Sequence, residues 1–199
     1  FSLNVFSMMI DPNARCPKWL IDRIRACGGS ISFYEYMNLV LNDSRNGFYS
    51  TGILQIGKDG DFCTSPSLSN DFARLLAIQI VDWLLDLEKV RIDSNLLSLV
   101  EIGPGEGTLF RDLVEAISEI SPELINKIEF VLVEINKGMR KRQQKIVNRL
   151  KGVNYRWSNL EELALNPVTG VVIANEVLDA FPVERLVFRD DKVFRQGVS

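Results

Sequence analysis

Leu97-Ser98-Leu99-Val100-Glu101-Ile102-Gly103-Pro104-Gly105-Glu106-Gly107-Thr108-Leu109 is an apolar stretch that runs straight into a glycine-rich turn and out into helix-forming sequence. Glycine has no Cβ, so such a turn lets backbone N–H groups come close to a ligand at a helix N-terminus. A second acid, Glu134, closes the next apolar run, Phe130-Val131-Leu132-Val133. A carboxylate at that position can accept both hydroxyl protons of a ribose. Together the two features point to a nucleoside cofactor. The dinucleotide pattern Gly-x-Gly-x-x-Gly requires a third glycine at position 108, where this chain has Thr108. Its third glycine is Gly107, and Glu101 stands just ahead of Gly103. An acid there is poorly matched to an anionic pyrophosphate and well matched to a cofactor bearing positive charge. S-adenosylmethionine carries a sulfonium and an ammonium and no phosphate. It is the expected cofactor, with NAD as the alternative.

Around this stretch, strands and helices alternate. Strand Leu97–Glu101 precedes a helix over Thr108–Ile120, and strand Ile128–Glu134 precedes a helix over Lys137–Leu150. A short strand over Val153–Arg156 leads to a helical turn over Leu160–Ala164, and strand Gly170–Asn175 follows. This is the pattern of a doubly wound parallel sheet, an α/β fold whose ligands bind beyond the carboxyl ends of the strands. Glu101, Glu134, Asn159, Asn175 and Glu176 all fall at those ends. With Pro104 and Thr108 of the turn, Asn159 and Asn175 join the candidate cofactor contacts.

The preceding region reads as helical. Pro17–Cys27 closes on Gly28-Gly29, and Ser32-Phe33-Tyr34-Glu35 has capping-box spacing for a helix to Leu41. Phe72, Leu75, Leu76, Ile80, Trp83 and Leu84 recur at helical spacing through Glu88. The expected division is a helical cap over 1–92 and a Rossmann-like core over 93–199. Glu184–Phe188 and Val193–Gly197 form a hairpin around Arg189-Asp190-Asp191-Lys192.

Composition narrows the chemistry. The chain has 199 residues, 46% of them hydrophobic, and a net charge of −3, which gives no bulk electrostatic case for nucleic acid. The basic run Lys137, Arg140, Lys141, Arg142, Lys145, Arg149 reads as a solvated helix face. No apolar run reaches the length of a membrane span. The three cysteines form no Cys-x-x-Cys pair, which suits a reducing compartment. Histidine is absent, which excludes a Ser-His-Asp triad, a Cys-His dyad and a histidine metal site. No metal is expected, and proton transfer falls to carboxylates, tyrosine, lysine, cysteine or water.

Two further segments carry polar groups. Gly60-Asp61-Phe62-Cys63-Thr64-Ser65-Pro66 precedes a long helix that Ser65 or Ser67 could cap, with Asp61 facing a ligand. Asn175-Glu176-Val177-Leu178-Asp179-Ala180 follows a strand. If it turns helically, Glu176 and Asp179 share a face and can hold a guanidinium by charge-assisted hydrogen bonds. The alternative is a solvated first helical turn.

Phe33-x-x-Tyr36-Met37, Gly47-Phe48-Tyr49, Gly60-Asp61-Phe62-x-Thr64-Ser65-Pro66, the turn at 101–109 and Asn175-Glu176-x-x-Asp179-Ala180-x-Pro182-Val183 together resemble the MidA-like family of S-adenosylmethionine-dependent methyltransferases. That family includes a mitochondrial assembly factor for respiratory complex I that methylates arginine. The resemblance implies a class I methyltransferase fold with an added N-terminal helical region, and a chain continuing past Ser199 to further strands. It implies cofactor contacts at Glu101, Gly103, Gly105, Gly107 and Glu134, with Thr64 and Ser65 beside them. It places Glu176, Asp179 and Asp61 around the reactive methyl or its acceptor. From the chemistry of a guanidinium acceptor, Glu176 is the carboxylate expected to orient it, with Asp179 or Asp61 assisting. The implied partner is a protein substrate such as a complex I subunit, in bacterial cytoplasm or, for a eukaryotic chain, the mitochondrial matrix. A cofactor-holding assembly factor without turnover is the alternative. The chain departs from the family pattern at Ser67 and at Ala73-Arg74, where the family has Glu and Gly-Glu, and this bears on acceptor identity.

Overall fold

The computed structural model describes residues 15–54, 60–61, 64, 66, 69–90 and 96–199. The chain divides into two compact units, 40–181 on one side and 1–39 with 182–199 on the other, the division falling within one helix.

The larger unit is built on four parallel strands, β2 (Leu97–Ile102), β3 (Ile128–Val133), β4 (Asn154–Ser158) and β5 (Gly170–Ala174). Their order is β4-β3-β2-β5, with Leu99 opposite Phe130 and Val171. The helix α3 (Asp71–Val90) precedes the sheet, and α4 (Thr108–Ile120), α5 (Lys137–Val147) and α6 (Leu160–Leu165) connect its strands. The expected strands and helices of this region are all present, with ends displaced by a few residues.

Side chains alternate across a strand, and the apolar residues follow that parity. Leu97, Leu99, Ile128, Phe130 and Leu132 join Ala77, Ile80 and Leu84 of α3 and Leu113 and Ile117 of α4 in the main core. Val100, Val131 and Val133 face the other way and pack with Leu163 of α6 and Val168. A continuously apolar strand is what a sheet covered on both faces demands. The central strand β2 has neighbours on both sides, and the order of strands reverses between β2 and β5. In an open α/β sheet that reversal opens a crevice at the carboxyl ends.

The smaller unit holds α1 (Lys18–Ala26), the short strand β1 (Ile31–Ser32) and the start of α2 (Phe33–Asn42). The expected capping box is present: the Glu35 backbone N–H donates to Ser32 Oγ at 3.1 Å, and the Ser32 N–H donates to Glu35 Oε2 at 2.9 Å. The hairpin β6 (Leu186–Arg189) and β7 (Lys192–Arg195) turns through Asp190 and Asp191, whose φ angles of 51° and 56° suit a two-residue turn of the type that matches strand twist. The strand β8 (Gly197–Val198) pairs antiparallel with β1, and the Arg185 guanidinium lies 5.0 Å over the Phe33 ring.

Phe130 joins sheet to helix: it is 1% exposed and meets Phe110 of α4 edge-on, with ring centroids 5.5 Å apart. Phe130→Ala removes that contact and leaves a cavity, so urea unfolding is expected to show a loss of about 3–5 kcal/mol with an unchanged denaturant slope.

Candidate cofactor site

The site is built where β2 leaves the sheet. Gly103, Gly105 and Gly107 adopt φ of 63°, 53° and 88°, a left-handed conformation that L side chains reach only with strain. At Gly103 space is short as well, because a Cβ would lie 3.1 Å from Val177 Cγ2. The turn is thus pressed against the segment that follows β5, at the strand-order reversal. The Gly103 N–H donates to Val133 O and the Gly107 N–H to Pro104 O, which closes the turn in front of α4. Pro104 is buried and Thr108 begins α4.

Glu101, on β2 just before the turn, is 6% exposed, and its Oε2 has no hydrogen-bond partner among the described residues. Burial pushes its carboxyl up to about 8, the neutral form being favoured where water is excluded. Glu134 is 7% exposed, but its oxygens are held. The Asn136 backbone N–H donates to Oε1 at 2.8 Å and Gln143 Nε2 to Oε2 at 3.2 Å. Burial raises its carboxyl above the usual range, opposed by these two hydrogen bonds and by the Arg140 guanidinium.

The helix α5 ties the parts together. Gln143 Nε2 also donates to Gly105 O at 2.8 Å, Arg142 forms an ion pair with Glu106 at 2.7 Å, and Arg140 Nε donates to Glu134 O at 2.6 Å. The basic run of α5 is therefore not uniformly solvated: Arg140 and Arg142 turn inward to the loop and the strand ends. The buried residues of the helix are Met139, Gln143 and Val147. The Gly47–Gly52 turn docks on the same helix. Ser50 Oγ donates to Asn136 Oδ1 at 2.8 Å, Arg142 donates to Gly52 O at 3.1 Å, and a Cβ at Gly138 would run into Ser50 O. This brings Tyr49 under the influence of the site. Its hydroxyl is held above the usual range by burial first, then by the negative charge of Asp179 and Glu134.

The remaining sequence candidates are placed as follows. Asn175 is partly buried directly after β5, and Glu176 and Asp179 are exposed. No helix starts at Asn175: Glu176 has φ 55°, and only Leu178–Ala180 turns, as a 3-10 helix. A left-handed non-glycine residue is strained, a condition commonly met at functional sites. The Asn159 side chain accepts from the Glu162 N–H at 2.8 Å and caps α6. Asp61 is exposed and Thr64 partly buried, while Ser65 and the proposed cap at Ser67 lie outside the described residues. Sequence reading assigned no role to Gln143 or Tyr49. The signal for Gln143 was present: it is a polar residue at the middle of the Met139, Gln143, Val147 stripe, where helical spacing places core.

Residues 75–199 match the family described as "Putative S-adenosyl-L-methionine-dependent methyltransferase". The chain belongs to this family. The mitochondrial protein arginine methyltransferase NDUFAF7 of Bos taurus is 37% identical over 119 residues, covering 59% of this chain and 25% of that protein. The Drosophila melanogaster homologue is 28% identical over 184 residues, covering 82% and 40%. A solved structure from Burkholderia thailandensis, bound to S-adenosyl-homocysteine, superposes with a TM-score of 0.70 at 30% identity, covering 91% of this chain and 45% of that one. The chain thus spans less than half the length of these relatives. Its sheet is the class I, Rossmann-like fold of methyltransferases. Among the described residues no helix is long and apolar enough to cross a membrane, and no group of three or more His, Cys, Asp or Glu could hold a metal ion.

The site fits the family's cofactor on its own geometry. The orphaned Glu101 oxygen offers an acceptor for a cation, Glu134 retains lone pairs for a diol, and the glycines leave the loop open to close approach.

The Glu101 carboxyl also sets a stability test. Below its ordinary 4.5 it holds a proton in both folded and unfolded chains; between 4.5 and about 8 only the folded chain holds it. Its contribution is fully present below 4.5 and is lost as pH rises to about 8, on the order of 1 kcal/mol per pH unit. Glu101→Gln is expected to remove this slope, so that the stability difference between variant and parent grows with pH across that window in urea titrations.

Proposed function

We propose that this chain binds S-adenosylmethionine at the carboxyl edge of its sheet and serves methyl transfer to an arginine of a partner protein. The observation that carries this reading is the pair of buried carboxylates, Glu101 near the end of β2 and Glu134 directly after the neighbouring β3, beside the glycine turn. A cation draws both carboxyls toward their ionised form, whereas a pyrophosphate disfavours it, so charge separates a sulfonium cofactor from a dinucleotide.

Each residue then has a task. Glu134 accepts the ribose hydroxyls, and Glu101 accepts from the ammonium, whose charge favours the ionised carboxylate. Gly103, Pro104, Gly105, Gly107 and Thr108 let the chain pass close to the ligand. Asn175 lines the edge beside them, and Asn159, whose backbone and Oδ1 are engaged at the start of α6, contributes its side-chain Nδ2. Thr64 and Ser65 complete the cofactor side. When bound, S-adenosylmethionine supplies an electrophilic methyl carbon on its sulfonium. An arginine guanidinium is protonated in water and is a poor nucleophile. Glu176, exposed and held at φ 55°, orients it by charge-assisted hydrogen bonds and takes the proton from the attacking nitrogen, with Asp179 and Asp61 assisting. Names of relatives support a protein acceptor. Family resemblance extends that to a complex I subunit, in the mitochondrial matrix for a eukaryotic chain and in the cytoplasm for a bacterial one.

Calorimetric titration separates the cofactors. S-adenosylhomocysteine is expected to bind and NAD not, with Glu134→Ala weakening the former by about 10- to 100-fold through the lost charged hydrogen bonds. Binding of NAD alone overturns the reading. Glu176→Gln is expected to leave S-adenosylhomocysteine affinity unchanged and to lower methylation of an arginine-bearing partner by roughly a hundredfold or more; undiminished turnover would move that role to another residue.

A further inference from the structure

Gln143 is 0% exposed, on a helix whose neighbouring residues are largely charged. A buried amide is costly unless its groups are bonded. Three of its four bonding positions are filled: Nε2 donates to Gly105 O at 2.8 Å and to Glu134 Oε2 at 3.2 Å, while Oε1 accepts from Trp157 Nε1 at 2.8 Å. The chemistry of the partners permits one orientation only. An indole N–H can only donate, and a carbonyl and an ionised carboxylate can only accept, so the amide cannot be flipped. The stem is involved as well, since the atoms nearest a Cβ at Gly107 belong to Gln143, beginning with Cγ at 3.6 Å. One side chain therefore joins the glycine turn at Gly105, the acid that follows β3 and the aromatic residue on β4.

We propose that Gln143 is a positioning residue for ribose recognition: it fixes the Glu134 carboxylate relative to the glycine turn, so that discrimination for the ribose hydroxyls depends on its amide. This rests on the cofactor reading above. The physical reason lies in how the carboxylate is held. With the Asn136 N–H on Oε1 and Gln143 on Oε2, the carboxylate plane is set before any ligand arrives, and the remaining lone pairs keep a fixed spacing for two hydroxyls. Holding an acceptor pair in place beforehand removes the cost of ordering it during binding. Without the amide, Glu134 loses one of the two donors that set its plane, and recognition of the diol suffers.

The test measures S-adenosylhomocysteine against its 2′-deoxyadenosyl counterpart by calorimetry. The parent chain is expected to prefer the ribo ligand, and Gln143→Met to reduce that preference by about tenfold while far-ultraviolet circular dichroism stays unchanged. Gln143→Glu guards against a variant that fails to fold. It preserves shape and the acceptor for Trp157, but must carry a proton to donate toward Glu134 or Gly105. Its affinity, relative to the parent, is expected to fall as pH rises from roughly pH 5 to pH 8, as the introduced carboxyl ionises beside Glu134. A merely structural role would move neither the ligand ratio nor this pH profile. An undiminished preference in folded Gln143→Met, or a Gln143→Glu profile parallel to that of the parent, overturns the proposal alone. Failure of the parent chain to bind S-adenosylhomocysteine overturns it together with the cofactor reading.

Discussion

The contact between Gly103 and Val177 sets the terms for everything at the carboxyl edge of this sheet. Strand β2 ends between two neighbours, and the chain must turn out of the sheet within one residue of the segment that follows β5. A Cβ would fall 3.1 Å from Val177 Cγ2, and the required φ is positive, so only glycine meets both conditions without displacing its neighbours. From that turn follow the start of α4, the closeness of the Asn175–Val177 segment and the open approach to the strand ends. Beside that turn the chain leaving β5 passes through Glu176 in a left-handed conformation, with φ 55°.

Electrostatics give the edge its chemical character. Two carboxylates are buried there, and they are treated differently. Glu134 has hydrogen-bond donors on both oxygens and the Arg140 guanidinium nearby, which offset part of the cost of keeping a charge out of water. Glu101 has no such compensation on Oε2 and is held neutral by burial up to about 8. A site with one braced acceptor and one unsatisfied acid is ready for a ligand with a diol at one place and a cation at another. The diol is common to the methyl donor of this family and to a dinucleotide; the cation in place of a pyrophosphate is what separates them.

The fold was largely legible because its signals are local. Apolar runs of strand length alternated with helical periods, and the glycine spacing marked the strand-to-helix turn. Glu101 and Glu134 stood out because an acid ending an apolar strand is chemically anomalous. The turn at Asn175 was harder. Its composition allowed a helical start, but the chain bends through a left-handed residue at Glu176 before a single 3-10 turn. The basic run of α5 was harder still. Read by composition it is one solvated face, yet Arg142 reaches Glu106 and Gly52 O, and Arg140 reaches the backbone of Glu134. Those partners lie on other elements, and nothing in the run itself names them.

The sequence by itself determined the order of strands and helices, the glycine turn and the two acids at strand ends, because each depends on periodicity or on the conformational limits of a few adjacent residues. Tertiary structure alone decided that Gln143 lies at the meeting point of the glycine turn, Glu134 and Trp157, and that the Gly47–Gly52 turn docks beside them on α5. Hydrogen bonds between residues dozens of positions apart depend on the sheet having brought its strand ends together, and no local pattern records that distance.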